Sequence, residues 1–489
     1  MDYVSTRGDR EQTNAVRAVL KGLARDGGVF MPASFPYGKL DYRELLGKPF
    51  EEMAVRVFGC FLEDFPDLPD IVRRAYEGKF DVPDVTPLKK VGDRFVLELF
   101  HGPTSAFKDV ALSALPVLMS EAVRLEGGSE DILILTATSG DTGKAAMEGF
   151  RDARRIRILV FYPDGGVSPI QEKQMTSQEG RNVCCTAIRG NFDDAQTAVK
   201  QVFTDPEVRA ALKKGGYVMS SANSINWGRL LPQIAYYFSA YVDLVTSEEI
   251  RLGDKVDFVV PTGNFGDILA GYYAMRMGLP VRKLLCASNI NNVLTDFFET
   301  GEYSLARDFH KTISPSMDIL ISSNLERLLF EIENRDDKAT AALMAALKSE
   351  GKYTLDLLTL RAKAGAFDAG YADEEETADT INEFFEEYGY LLDPHTAVAL
   401  AVRYDNDAQG DAPTVVLSTA NPYKFTQDVL SALGEKKEED PFKAVKALRL
   451  ASGIEPPEGI TALEKAEVRF RDVLAAQDIK NIVLKKAEK

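Results

Sequence analysis

Between residues 93 and 260 short apolar runs alternate with longer helical patterns, and several of the runs end in glycine or hydroxyl residues. The runs Phe95–Leu99, Ile132–Ala137, Ile156–Tyr162, Val183–Ile188 and Val256–Val260 are mostly apolar, rich in β-branched residues, and lack polar alternation. That is the pattern of strands buried on both faces. The segments between them, including Ala145–Ala153, Asp193–Phe203 and Leu230–Val245, carry apolar residues at helical spacing. Such alternation restricts the chain to an α/β architecture with a parallel sheet. Lys283–Ser288 and Val415–Ser418 are further strand candidates. In open α/β sheets ligands bind beyond the carboxyl ends of the strands, so the loops after these runs are where chemistry is sought.

With 489 residues the chain exceeds one ordinary core, and two or three domains are expected. Residues 1–92 read as mostly helical. Val16, Val19, Leu20 and Leu23 recur at helical spacing before Asp26-Gly27-Gly28 breaks the pattern, and Tyr42–Cys60 and Ile71–Ala75 continue in the same style. Asp81–Pro83 and Thr86–Leu88 read as an extended entry into the next unit. The acidic stretch Ala372–Glu387 reads as a solvated helix face and Glu435–Asp440 as a surface linker.

A formal net charge of −17 without any basic tract argues against nucleic acid and membrane as partners. Cys60, Cys184, Cys185 and Cys286 form no disulfide framework, and His101, His310 and His395 are too widely spaced for a metal signature. No apolar leader is visible and no run approaches the roughly 18 residues of a membrane span. A cytoplasmic protein without a metal is expected.

Within Leu99-Phe100-His101-Gly102-Pro103-Thr104-Ser105-Ala106-Phe107-Lys108-Asp109 a strand runs into a Gly-Pro turn and then one lysine heads the apolar helical pattern Val110–Leu118. A lysine among Phe107, Val110 and Ala111 loses hydration, which disfavours its charged form and frees the amine for Schiff-base chemistry. Read alone, the same residues also suit a lysine stem that snorkels at a helix start.

Two strand-end loops add to this. Thr138-Ser139-Gly140-Asp141-Thr142-Gly143-Lys144 follows the strand at 132–137 and opens a helix, which makes an anion or carboxylate cradle. It is not a Walker loop: the first glycine position falls on Thr138 and the final hydroxyl position on Ala145. An ordinary turn capped by Asp141 or Thr142 is the alternative. Gly263-Asn264-Phe265-Gly266-Asp267 follows Val256–Val260 and precedes the helical pattern Ile268–Ala274, so its amides can converge on a phosphate. Thr419 supplies a hydroxyl at a third strand end, where a helix cap is equally compatible.

A candidate Schiff-base lysine, a carboxylate cradle, a phosphate cradle and a strand-end hydroxyl are the parts that pyridoxal phosphate requires. Together with Tyr3–Gly8, Val19–Gly28, Gly166–Gln171, Ser221–Trp227, Asp393–Val398 and Asn421–Phe425, the chain resembles the bacterial and fungal threonine synthases along nearly its whole length. These are fold-type II pyridoxal-phosphate enzymes. The resemblance implies a tryptophan synthase β-like fold, with two open twisted mostly parallel sheets and an added N-terminal helical domain. The expected division is 1–92 for that domain, 93–112 with 231–489 for a large cofactor-binding domain, and 113–230 for a small domain carrying the substrate-carboxylate loop.

The resemblance also implies roles. Lys108 would hold the cofactor beside Phe107 and then move protons. Gly263, Asn264, Phe265, Gly266 and Asp267 would hold the cofactor phosphate, and Thr419 would bond the pyridine nitrogen. Ser139, Gly140, Asp141, Thr142 and Gly143 would receive the substrate carboxylate. Ser224, Asn226 and Arg229 are candidates for the substrate phosphate, with Lys173 and Lys424 behind them; ordinary helix-terminal polar residues are the alternative reading. Relatives often carry histidine where this chain has Asn421. His101 and His395 are expected in structural hydrogen bonds. The implied reaction converts O-phospho-L-homoserine and water to L-threonine and phosphate, in a monomer or homodimer. Alternatives are another fold-type II lyase such as a serine/threonine dehydratase, a nucleotide-binding regulator resting on Gly143-Lys144, and a purely structural α/β protein.

Overall fold

The computed structural model describes residues 1–190, 192–405 and 412–487. Two sheets dominate it, as the alternation of strands and helices requires. The first runs in the order Phe367–Tyr371, Val281–Ser288, Val256–Pro261, Thr414–Ser418, Arg94–Glu98, Leu88–Val91. Its neighbours are parallel except for the last pair, in which Leu88–Val91 runs back against Arg94–Glu98. The second runs in the order Val473–Ala475, Val183–Arg189, Ile156–Pro163, Asp131–Ala137, Tyr217–Ser220 and is parallel throughout. Every side chain of Val256–Pro261 is buried, as a strand covered on both faces demands.

The chain passes between the sheets on two long helices. Lys108–Glu126 leaves the first sheet, and Trp227–Thr246 returns to it. The second is buried almost all round, with Trp227, Tyr236, Tyr237 and Tyr241 fully enclosed. A helix apolar on every side belongs at the centre of a large protein, and this one packs on Lys108–Glu126, Gly266–Arg276 and Phe50–Gly59. The expected boundary at 112 falls inside the helix Lys108–Glu126, which is continuous across it.

The N-terminal region departs from a purely helical reading. It holds the helices Ala15–Lys21, Phe50–Gly59 and Leu68–Tyr76, but also an antiparallel sheet ordered Thr13–Asn14, Asp2–Ser5, Phe30–Pro32. Strands of two to four residues are too short to impose a period on the sequence. Tyr3 and Phe61 of this region meet Trp227 at 5.7 and 5.4 Å between ring centroids, which fixes it to the central helix.

A second departure lies at the other end. The reading assigns all of 231–489 to the large unit, yet Val473–Ala475 pairs with Val183–Arg189 of the second sheet. The helix Ile479–Ala487 then covers Phe192–Thr204 and Pro206–Lys214. The acidic stretch does form a helix, Glu374–Tyr388, started by a capping box between Asp373 and Glu376. Glu435–Asp440 connects two helices, Thr426–Ala432 and Pro441–Ser452.

Candidate active site

The strand Arg94–Glu98 delivers Lys108 through a turn that its own sequence pins. Asp109 accepts from the Thr104 amide at 2.8 Å and from the Thr104 hydroxyl at 2.6 Å. Gly102 is required there, because a Cβ would stand 2.4 Å from the Cβ of Asp109. Phe107 donates its amide to the Thr419 carbonyl at 2.8 Å, so the turn is tied to the neighbouring strand end. Lys108 is therefore the first residue of its helix, and only 8% of it is exposed.

Its Nζ lies 3.5 Å from Asp141 Oδ2, 3.5 Å from Ser316 Oγ and 4.4 Å from the centroid of the Phe107 ring. Burial lowers its pKa to about 8, with Asp141 opposing the shift and Arg229 and Lys424 adding to it. The amine is thus available uncharged near neutral pH. Phe107, Lys108 and Thr419 come together as expected.

Asp141 is the electrostatic centre of the opposite wall. Burial alone would raise its pKa, but Lys424 and Lys108 hold it well below the usual carboxylate range. Lys424, completely buried, places Nζ 2.5 Å from Asp141 Oδ1 and donates to the Thr104 carbonyl at 2.9 Å. Gln171 donates to the same Oδ1 at 2.8 Å and Ser316 to Oδ2 at 3.3 Å. The side chain of Asp141 is thus fully engaged, which leaves its backbone amide as the part that can receive a substrate carboxylate.

Two members of that loop are corrected. The Thr138 hydroxyl accepts from the amides of Gly140 at 3.0 Å and Gly143 at 2.9 Å, so neither amide is left for a ligand. A Cβ on Gly143 would meet Thr138, Val160 and Met175 within 2.9 Å, so this glycine serves close packing. Gly140, at φ 132°, faces Gln171 in the same way. Asp141 and Thr142 lie in the first turn of the helix Asp141–Gly149, where amides have no partner inside the helix. With half-buried Ser139 they are what the loop offers to an anion.

The Gly263–Asp267 loop opens the helix Gly266–Arg276 as expected. Phe265 sits in the left-handed region at φ 63° directly before that helix, a sequence of conformations that turns successive amides to one side. Its ring stacks on Phe298 and packs against Phe367, so only its backbone faces the loop. Asn324 secures the turn from the far side, with its amide and its Nδ2 both donating to the Asn264 carbonyl at 3.1 and 3.0 Å. The Ser322 hydroxyl donates to the Gly263 carbonyl at 2.8 Å.

Ser224 belongs to this loop rather than to a separate phosphate pocket. Its Oγ accepts from Asn324 Nδ2 at 2.8 Å, and a Cβ on Gly266 would stand 3.2 Å from the Ser224 Cβ. Asp267 is buried, with Oδ1 accepting from the hydroxyls of Tyr236 and of Tyr237, the latter at 3.0 Å. Its Oδ2 is buried without a partner. Burial raises its pKa to about 6 against the lowering effect of both tyrosines and Lys108.

Asn226 is bonded within the protein through both of its side-chain polar atoms. It caps the helix Trp227–Thr246, accepting from the Gly228 amide at 2.9 Å and donating to the carbonyls of Val19 and Ser221. Arg229 is different. It is buried, donates to the Ala222 carbonyl at 2.7 Å and reaches Thr142 Oγ1 at 3.3 Å, and no carboxylate among the described residues pairs with it. Burial lowers its pKa to about 10. Lys173 lies outside the site and bonds the Ala466 carbonyl at 2.7 Å. Asn421 caps the turn Pro422–Phe425 by accepting from the Tyr423 amide at 3.0 Å.

Ser316 is the residue that sequence reasoning missed. Besides its contacts to Lys108 and Asp141, its carbonyl overlies Gly263, where a Cβ would stand 2.7 Å away. Its amide donates to His395 Nε2 at 3.1 Å, so that nitrogen is unprotonated and Nδ1–H donates to Asp393 at 2.8 Å. The structural part expected of His395 matches this geometry. His101 lies between Asp81 at 2.7 Å and Glu98 at 2.9 Å.

Known proteins resemble this chain over most of its length. Residues 2–76 match the family "Threonine synthase N terminus", residues 85–420 "Pyridoxal-phosphate dependent enzyme" and residues 396–483 "Threonine synthase, C-terminal". Threonine synthase of Pseudomonas aeruginosa is 41% identical over 437 residues, covering 88% of this chain and 90% of that one. Threonine synthase-like 1 of Homo sapiens is 41% identical over 436 residues, 86% of this chain; the chain spans 58% of that relative's length. The crystal structure of pyridoxal-phosphate-bound threonine synthase from Brucella melitensis superposes with a TM-score of 0.86 at 42% identity, covering 100% of both chains. The fold is thus the fold-type II one that the motifs imply, and the chain belongs to the threonine synthase family of pyridoxal-phosphate dependent enzymes.

Proposed function

We propose that the protein converts O-phospho-L-homoserine and water to L-threonine and phosphate. One observation carries this reading: Arg229, a buried guanidinium without a carboxylate partner among the described residues, stands in the field of a desolvated lysine amine. The other buried cation of the site, Lys424, is already neutralised by Asp141. An uncompensated buried cation is costly, and a phosphate ester supplies the missing charge in a geometry that guanidinium matches.

Pyridoxal phosphate fits the residues present. The Gly263–Asp267 turn has no room for a side chain at Gly263 and little at Gly266, stands before a helix N-terminus, and includes a buried carboxyl oxygen that nothing among the described residues satisfies. Lys108 would anchor the cofactor, the Gly263–Asp267 amides would hold its phosphate, and Thr419, 5% exposed at the adjoining strand end, would face its ring nitrogen. When bound, the cofactor supplies an electron sink for charge developing on the substrate carbons.

The chain's own residues then divide the work. Lys108 takes a proton from Cα, passes that proton on, and then takes one from Cβ; its lowered pKa favours the uncharged amine that each transfer needs. Asp141 and Ser316 keep the amine in place between transfers. Arg229 with Thr142 holds the substrate phosphate, and the first-turn amides of Asp141 and Thr142 hold its carboxylate. Phosphate departs from Cγ with the bridging oxygen, Cγ and Cα each regain a proton, and water adds its hydroxyl at Cβ while its remaining proton goes to the released phosphate. Cys60, Cys185 and Cys286 are buried thiols, which supports action in a reducing compartment such as the cytoplasm.

Purified protein given O-phospho-L-homoserine should release phosphate and threonine in equal amounts. Phosphate accompanied by 2-oxobutanoate would instead assign a dehydratase-type lyase.

A further inference from the structure

A carboxyl group inside a phosphate-binding turn is an electrostatic conflict, and Asp267 is such a group. It follows the two glycines of the turn and lies in the first helical turn of Gly266–Arg276. The Tyr236 and Tyr237 hydroxyls both donate to Oδ1, and the Tyr237 hydroxyl also donates to the Asp267 carbonyl at 3.0 Å. Oδ2 is enclosed and bonded to nothing among the described residues. As an ionised oxygen it would need donors, and leaving a buried charged acceptor unsatisfied costs more than leaving a neutral one. A phosphate brings only acceptors. The one favourable pairing between this oxygen and a phosphate oxygen has a proton between them.

The groups that face Asp267 act in opposite directions. The helix N-terminus, the two tyrosine hydroxyls and Lys108 favour its ionised form, while enclosure by the central helix favours the neutral one. A phosphate seated on the same helix end would take up the attraction of that end and add its own negative charge. The balance then moves to the protonated acid.

We propose that Asp267 holds the cofactor phosphate as a neutral acid donating from Oδ2, so that cofactor binding draws a proton from solvent into the site. The inference rests on the reading of Gly263–Asp267 as the cofactor-phosphate turn. The proton joins the Asp267 carboxylate and is shared with a phosphate oxygen, and it belongs to the pair. The consequence is a cofactor affinity that falls as pH rises, by up to tenfold per pH unit where Asp267 is ionised in the free protein.

The test uses the full chain freed of cofactor and pyridoxine 5′-phosphate, which has no aldehyde and so leaves the Lys108 amine unreacted. Calorimetric titration in buffers of different ionisation enthalpy counts the protons taken up. At pH 8 the wild-type chain should take up about one proton more than Asp267→Asn, and at pH 5 the two should agree because the acid is already protonated. Asp267→Asn should bind the probe with the flatter pH dependence of the two. An infrared difference spectrum of the wild-type chain, needing no variant, should show carboxylate absorption replaced by a protonated carboxyl band on binding at pH 8. Equal proton counts, or no new carboxyl band, would overturn the inference while leaving the cofactor reading intact. Failure of the wild-type chain to bind the probe would overturn both.

Discussion

The Nζ of Lys424 lies 2.5 Å from Oδ1 of Asp141, and neither side chain reaches solvent. The two residues stand 283 positions apart, one opening the helix Asp141–Gly149 and the other in the turn Pro422–Phe425, so the pair ties together the two sheets' strand ends. It also sets the state of Lys108. Lys424 repels charge on the Lys108 amine, while Asp141 holds the amine's head group at 3.5 Å.

Breaking this pair should be costly. Lys424→Met leaves buried Asp141 with the longer contact to Lys108 at 3.5 Å, and removal of a partner from a buried ion pair costs about 3–5 kcal/mol. Urea unfolding should show a loss of that order. A loss below about 1 kcal/mol would mean that water already reaches the pair.

The Lys108 amine should titrate near pH 8 in the cofactor-free chain. Its pKa is lowered, so the reactive uncharged form grows in as pH rises through about 8 rather than through the range of an exposed lysine. The rate of chromophore formation with added pyridoxal phosphate should follow that curve. Asp141→Asn removes the group that favours the charged amine and should move the midpoint to lower pH. Lys108→Ala should give a folded protein by circular dichroism with no chromophore and no turnover.

Arg229→Lys keeps a charge but loses the planar fork. The KM for O-phospho-L-homoserine should rise about 10- to 100-fold while the cofactor absorbance is unchanged, a loss of about 1.4–2.7 kcal/mol in binding. An unchanged KM in steady-state assays would place the substrate phosphate elsewhere.

Thr138→Val should loosen the loop that carries Asp141. Two buried amides, those of Gly140 and Gly143, lose their acceptor together. Each unsatisfied buried group costs about 1–3 kcal/mol. Thermal unfolding should shift down by several degrees, and faster amide exchange at residues 139–143 should localise the effect.

Much of this site was legible because strand ends in α/β sheets are marked by glycine and hydroxyl residues, and Lys108, Gly263–Asp267 and Thr419 all stand at such ends. Ser316 and Asn324 were not legible. They lie in the irregular stretch between Ser304 and Leu325, where no periodicity exists to place a residue, and Ser316 reaches Lys108 across 208 positions of sequence. Asn226 was legible in part: an asparagine directly before a long apolar helix is a cap by its chemistry, and the sequence left that role open beside a ligand role. The role of Thr138 was hidden because its hydroxyl folds back onto amides two and five residues ahead, a local bond that competes invisibly with ligand binding.

The account's central claim is that these residues break the carbon–oxygen bond at Cγ and add water at Cβ. Turnover of O-phospho-L-homoserine in water enriched with oxygen-18 tests it most directly. The account predicts threonine with one labelled oxygen in its hydroxyl and phosphate without label, because the bridging oxygen leaves with phosphorus. Labelled phosphate together with unlabelled homoserine would mean hydrolysis at phosphorus, and would contradict it.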